Sequence, residues 1–118
     1  MKQKVSDYIA EYIAQWGIRD VFTVTGGGAM HMNDAFGHHK MLHCTYQHHE
    51  QACAMAAEAY ARLGNKMAAV CVTTGPGATN AITGVLGAWM DSIPMLVFSG
   101  QARYATTVSA SGLPLRSM

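Results

Sequence analysis

The hydrophobic positions of this chain change period as it proceeds, and each change marks an element. From Ser6 to Trp16 the apolar residues Ile9, Tyr12, Ile13 and Trp16 recur at spacings of three and four, which predicts an amphipathic helix stopped by Gly17. Val21-Phe22-Thr23-Val24 reads as a buried strand. Gly26-Gly27-Gly28 turns the chain into a second helical stretch, about Met30 to Phe36, and Met41 to Tyr46 supplies another short strand. The Ala- and Met-rich run from His48 to Arg62 predicts a helix that ends near Gly64-Asn65. Met67 to Thr73 is apolar throughout, the pattern of a strand covered on both faces in a parallel sheet. A loop from Gly75 to Asn80, a helix from about Ala78 to Met90 and a strand Met95-Leu96-Val97-Phe98 after Pro94 complete the series.

Strands alternating with helices predict an α/β fold, an open parallel sheet with helices on both faces and right-handed crossovers. After Gly100 the periodicity fails, and the chain stops shortly after Leu113-Pro114-Leu115 with nothing in the pattern that closes a sheet edge or caps a helix. The expectation is one domain over residues 1–118, incomplete at its C-terminal end.

Composition adds a surface to this picture. Only 13% of the residues are charged and 50% are hydrophobic, whereas about 25% charged is usual for a soluble domain. So few charges leave apolar area that a second domain or subunit is expected to cover. The eight Lys and Arg are scattered and the net charge is +1, which gives no footprint for nucleic acid or an anionic membrane. The apolar stretches are too short and interrupted to span a bilayer, and Met1-Lys2-Gln3-Lys4 leads into no signal-peptide core, so a cytoplasmic location is expected. Cys44, Cys53 and Cys71 lack C-x-x-C spacing and are expected to be reduced, packed thiols.

Candidate chemistry gathers after the strands. Both glycine loops, Gly26 to Gly28 and Gly75 to Gly77, follow strands directly, and so does Glu50; in open α/β sheets that edge binds ligands. Tight turns alone would also call for those glycines. Glu50 opens a helix of small apolar residues, so its carboxylate is expected to be held partly out of water and poised for proton exchange. The plainer reading is that it complements the positive helix end, worth at most about 1 kcal/mol. A dinucleotide fingerprint would need glycine where His31 or Asn80 stands, and no Gly-Lys pair exists for a P-loop. No Gly-x-Ser-x-Gly elbow occurs. Six histidines lie between His31 and His49, but without H-E-x-x-H spacing and with His38-His39 expected in an exposed turn, so no metal site is assigned.

Gly17-Ile18 through Val21-Phe22, Gly26-Gly27, His49-Glu50, Ala56-Ala57-Glu58-Ala59-Tyr60-Ala61-Arg62, Thr74 to Asn80, Asp91-Ser92-Ile93-Pro94-Met95 and Ser99-Gly100-Gln101 together resemble one family. It is the N-terminal, pyrimidine-binding domain of thiamine diphosphate enzymes, in the acetolactate synthase-like branch. The resemblance implies that Glu50 hydrogen-bonds N1′ of the cofactor's aminopyrimidine, favouring the imino tautomer whose 4′-nitrogen takes the proton from thiazolium C2. It places Pro76, Gly77 and Asn80 in the loop packed on the pyrimidine, Gly26 and Gly27 in the loop approaching from the first strand, and Gln101 on the substrate side. Asn80 could instead satisfy backbone at a helix N-terminus.

The implied partners are thiamine diphosphate, a 2-oxo acid such as pyruvate, and a homodimer or homotetramer. Mg²⁺ is implied through a separate C-terminal domain or a partner subunit, because the family's Gly-Asp-Gly motif is missing from these residues. Related enzymes carry FAD in a middle domain, and nothing in these residues confirms or excludes it. Thr25 stands where many members have Pro, and the double His that follows this strand in pyruvate decarboxylases is missing after Gly100-Gln101, which disfavours simple decarboxylation. Two alternatives stand beside the leading reading: one subunit of a split 2-oxo acid decarboxylase of the sulfopyruvate decarboxylase type, and a non-catalytic binding or assembly module.

Overall fold

Ala68–Val72 is buried at every residue, and its unbroken apolar run fits only a strand with partners at both edges and helices on both faces. The computed structural model, which describes residues 2–107 and 110, places this strand, β3, inside a sheet of four parallel strands ordered β2-β1-β3-β4. The others are β1 (Asp20–Thr23), β2 (His43–Tyr46) and β4 (Met95–Ser99). Val70 lies opposite Phe22 on one side and Val97 on the other, so the register keeps apolar residues level across the sheet.

The two faces are sorted by the strand alternation. Val21, Ala69 and Cys71 face α1 (Val5–Gln15) and α2 (Met30–His38), packing against Ala10, Ile13, Ala35 and Phe36. Ala68, Val70 and Val72 face α3 (Glu50–Gly64), meeting Cys53, Ala54 and Ala57, with Val85 of α5 (Ile82–Met90) beside them. The α/β arrangement read from the sequence is therefore present, with helices on both faces of a parallel sheet. Helix ends follow backbone chemistry: Gly17 takes φ +88° after α1, and Asn65 takes φ 48° after α3, the left-handed cap that Gly and Asn tolerate.

Several boundaries differ from the sequence expectation. The strand expected from Met41 begins at His43, because the Leu42 N–H donates to the His39 carbonyl and holds the chain in a turn. The single helix expected from Ala78 is two: α4 (Pro76–Asn80) starts earlier, with Pro at its first position, and the chain tightens at Ala81, whose N–H reaches Ala78 O at 3.2 Å. Gly27–Ala29 forms a short 3-10 turn into α2, and Tyr104–Thr106 forms another beyond β4. The chain end expected at Leu113-Pro114-Leu115 lies outside the described residues. Among the described residues, no helix is long and apolar enough to cross a membrane.

Candidate functional site

From β1 the chain moves outward to β2 and then crosses back to β3 on the other side of β1. The reversal leaves a crevice at the carboxyl ends of β1 and β3, the position where open α/β sheets take ligands. The loops after these two strands are drawn together there. A Cβ on Gly26 would stand 2.4 Å from Thr73 Cβ, and one on Gly77 would stand 2.7 Å from Thr73 Cγ2 and 3.3 Å from Glu50 Oε1. Gly75 takes φ +61°, which an L side chain resists, and so turns the chain from β3 into α4. After β4, Gly100 passes so near Gly28 that a Cβ would lie 2.4 Å from the Gly28 carbonyl oxygen.

Glu50 enters from the β2 side as the first residue of α3. His49 caps that helix, its Nδ1 accepting the Gln51 N–H at 3.1 Å. The helix packs through Cys53, Ala54, Ala57 and Ala61, all buried, which fixes where its first turn lies. Asn80, the last residue of α4, donates from Nδ2 to Glu50 Oε2 at 3.0 Å. That bond holds the Glu50 carboxyl below its usual range, outweighing the upward push of its partial burial.

The partial cover expected of Glu50 is present, but its proton affinity is set by another cause. Glu50 is half-covered, and within this chain hydrogen bonding rather than desolvation governs its proton affinity. The backbone-satisfying reading of Asn80 fails, since it ends a helix and its amide reaches a side chain thirty residues away. Nearby, burial and then the Glu50 charge push the Cys53 thiol up to about 11, so it packs as a small inert hydrophobe. Cys71 is likewise raised to about 11 by burial, and all three cysteines are unpaired with one another.

Glu50, Gly77 and Asn80 thus form one contact group, and Gly26 joins it through Thr73. Pro76 begins α4 on the exposed rim. Gly27, where an added Cβ would meet nothing within 4 Å, borders a shallow cavity of about 340 Å³ with Thr25, Gly26, Met30 and Asn33. Gln101 sits farther along the edge, where its Oε1 accepts the Thr74 hydroxyl at 3.2 Å and the Ala102 N–H at 2.8 Å. The contacts of Thr73 have no counterpart in the sequence pattern, because a threonine after a strand carries no motif signal. A larger cavity, about 520 Å³, is lined by Lys4, Val5, Ser6, His31 and Met32 and by none of these glycines.

The histidines do not converge. His38 pairs with Asp34 of its own helix, while His39, expected in an exposed turn, is tucked against α1 with Nε2 3.1 Å from Glu11 Oε2. Among the described residues, no three His, Cys, Asp or Glu side chains are grouped to hold a metal ion. Glu58 pairs with Arg62, which also reaches Asp91 at 2.6 Å and so ties α3 to the end of α5.

Comparison with known proteins agrees with this geometry. The family described as thiamine pyrophosphate enzyme, N-terminal TPP binding domain, matches residues 3–113. The acetolactate synthase large subunit of Lactococcus lactis subsp. lactis is 38% identical over 96 residues, covering 81% of this chain and 17% of that protein. That of Buchnera aphidicola subsp. Schizaphis graminum is 42% identical over the same length and coverage. Acetolactate synthase 2, chloroplastic, of Zea mays is 37% identical over 99 residues, covering 84% of this chain and 16% of its own length. The chain therefore spans about one sixth of the length of these relatives. With a matching family over nearly all its residues and the parallel sheet that family needs, the chain belongs to the N-terminal TPP-binding domains of the thiamine pyrophosphate enzymes, on the acetolactate synthase-like branch.

Proposed function

We propose that this chain supplies the pyrimidine-facing half of the cofactor site in an acetolactate synthase-like enzyme acting on a 2-oxo acid such as pyruvate. The observation that carries the reading is the Glu50 carboxylate held by Asn80 at the mouth of the crevice, 3.3 Å from where a Cβ on Gly77 would stand. A flat aromatic ring needs backbone without side chains on its flanks and one acceptor at its rim. Gly27 offers bare backbone at the crevice, Gly26 and Gly77 let the two loops close on Thr73, and Glu50 is the acceptor, so the residues fit an aminopyrimidine.

Glu50 would bind the ring nitrogen N1′ and share a proton with it, while Asn80 holds Oε2 and keeps the carboxylate aimed. Pro76 and Gly77 would support one side of the ring, and Gly26 and Gly27 the other. Thiamine diphosphate supplies the carbanion chemistry, and the protein supplies orientation and the proton path. When a second surface closes over the crevice, loss of water raises the Glu50 carboxyl towards the proton-sharing range, against the Asn80 bond. That surface is either a further domain or a partner subunit in a dimer. Ile82, Leu86, Trp89 and Met90 of α5, just beyond Asn80, present exposed apolar area for it.

Mg²⁺ and the diphosphate would be held by that second surface, since a hard cation needs carboxylates and phosphate oxygens and the described residues group none. A non-catalytic module has no use for a carboxylate oriented by a neighbouring helix at a glycine-lined crevice, so the enzymatic reading is favoured. The test is acetolactate formation from pyruvate by the native full-length protein with thiamine diphosphate and Mg²⁺. Product that depends on both additions is the expected result. No turnover of pyruvate or any other 2-oxo acid, with the cofactor bound, would favour the assembly module; activity that needs a co-purifying subunit would favour the split enzyme.

A further inference from the structure

Thr73, the residue after β3, is the point at which the two glycine loops touch. A Cβ on Gly26 would lie 2.4 Å from Thr73 Cβ, one on Gly77 would lie 2.7 Å from Thr73 Cγ2, and one on Gly28 would lie 3.0 Å from Thr73 Oγ1. Gly26 and Gly77, from two loops, therefore close on one side chain, and Gly28 packs against both Thr73 and Thr74. The Gly28 N–H also donates to Thr73 Oγ1 at 3.1 Å, a bond between residues forty-five positions apart. Branching at Cβ restricts threonine to few rotamers, so its methyl and hydroxyl are held against different loops at once. The methyl meets Gly77, and the hydroxyl meets Gly28 beside the cavity that Gly26 and Gly27 border.

We propose that Thr73 is a positioning residue: wedged among Gly26, Gly28 and Gly77 and bonded to the Gly28 amide, it sets the separation of the loops after β1 and β3. That separation is the width offered to the aromatic ring beside Glu50, so the inference rests on the functional reading above. Thr73 acts through the loops. A displaced loop after β1 would leave the Glu50–Asn80 bond intact and spoil only the flank opposite Gly77.

The test compares Thr73→Val, which keeps the shape and removes the hydroxyl, with Thr73→Ser, which keeps the hydroxyl and removes the methyl. Two quantities are read in the native full-length protein: hydrogen exchange at the Gly28 amide without cofactor, and calorimetric affinity for thiamine diphosphate with Mg²⁺. Loss of one partly buried hydrogen bond predicts Gly28 exchange about tenfold faster and cofactor binding about tenfold weaker in Thr73→Val, with melting temperature nearly unchanged. Thr73→Ser is expected to restore Gly28 protection and most of the affinity. A valine variant that keeps Gly28 protection, or that binds like the unmodified protein, overturns the inference, as does equal weakening in both variants. If the valine variant does not fold, Thr73→Ala against Thr73→Ser gives the same two readings. Failure of the unmodified protein to bind thiamine diphosphate would overturn the functional reading instead, and Gly28 exchange would still decide whether the hydroxyl couples the loops.

Discussion

The two faces of the sheet are packed by opposite means. On the α1/α2 side, bulky side chains fill the space: Ile13, Ile18 and Phe36 are almost wholly buried, and Phe36 lies against Phe98 with ring centroids 5.3 Å apart. On the α3/α5 side the buried helix residues are small, Cys53, Ala54, Ala57 and Ala61 of α3 with Gly84 and Ala88 of α5, and the backbones themselves come close. A Cβ on Gly84 would stand 2.6 Å from Ala54 Cβ and 2.9 Å from the Met55 amide nitrogen. The first face is set by side-chain volume and the second by backbone approach. Glu50 begins α3 and Asn80 lies just before α5, so the site is carried by the face where position is least adjustable. That suits a hydrogen bond which must hold a carboxylate still.

The contrast breaks most sharply under substitutions of opposite kind. Phe36→Ala should destabilise the protein by about 3–5 kcal/mol in denaturant unfolding, through lost transfer energy and the cavity left behind. Gly84→Ala, which adds a single carbon, should cost about 1–3 kcal/mol because it meets backbone rather than a mobile side chain. It should also move the Glu50 titration, whereas Phe36→Ala should not, since Phe36 packs on the opposite face of the sheet from α3. A Gly84→Ala protein as stable as the original would show that α3 and α5 have room to spare.

Asn80→Ala sharpens the site itself. Because the Asn80 bond lowers the Glu50 carboxyl from its ordinary value of 4.5 in the folded protein, Glu50 favours the fold above its unfolded-state pKa. That contribution fades as pH falls through the lower folded-state value. Removing Asn80 should raise the Glu50 titration, followed by NMR of its side-chain carbon, and flatten stability against pH on the acid side. The smallest effect is expected at Gly87, where an added Cβ meets nothing within 4 Å. There Gly87→Ala should stabilise α5 by up to about 1 kcal/mol through helix propensity, in contrast to Gly84 one turn earlier.

Much of this is legible in the sequence. The run Met67 to Thr73 reads as a strand covered on both faces and forms one over Ala68–Val72, and the position of Glu50 at the head of an Ala-rich helix is where the structure places it. What pattern cannot carry is contact between distant residues. The Asn80 amide on Glu50 and the Gly28 amide on Thr73 depend on how the strand order folds back between β1 and β3. For the same reason the sequence signals the partial cover of Glu50 but not the Asn80 bond that governs its proton affinity. The break at Ala81 is hidden because Ala, Thr and Asn read alike in a continuous or an interrupted helix. His39 reads as exposed because Glu11, its partner on α1, lies twenty-eight positions away in the chain.

Whether Glu50 shares a proton with the cofactor's ring is read from exchange of the thiazolium C2 proton into deuterium oxide. The native full-length protein, with thiamine diphosphate and Mg²⁺ bound, is compared with its Glu50→Gln variant, which keeps the shape of the side chain and the Asn80 contact. Exchange in the variant should be slower by about a hundredfold or more, the range for loss of a positioned proton acceptor, with the fold unchanged. Exchange at the unmodified rate, with cofactor still bound, would contradict proton sharing by Glu50.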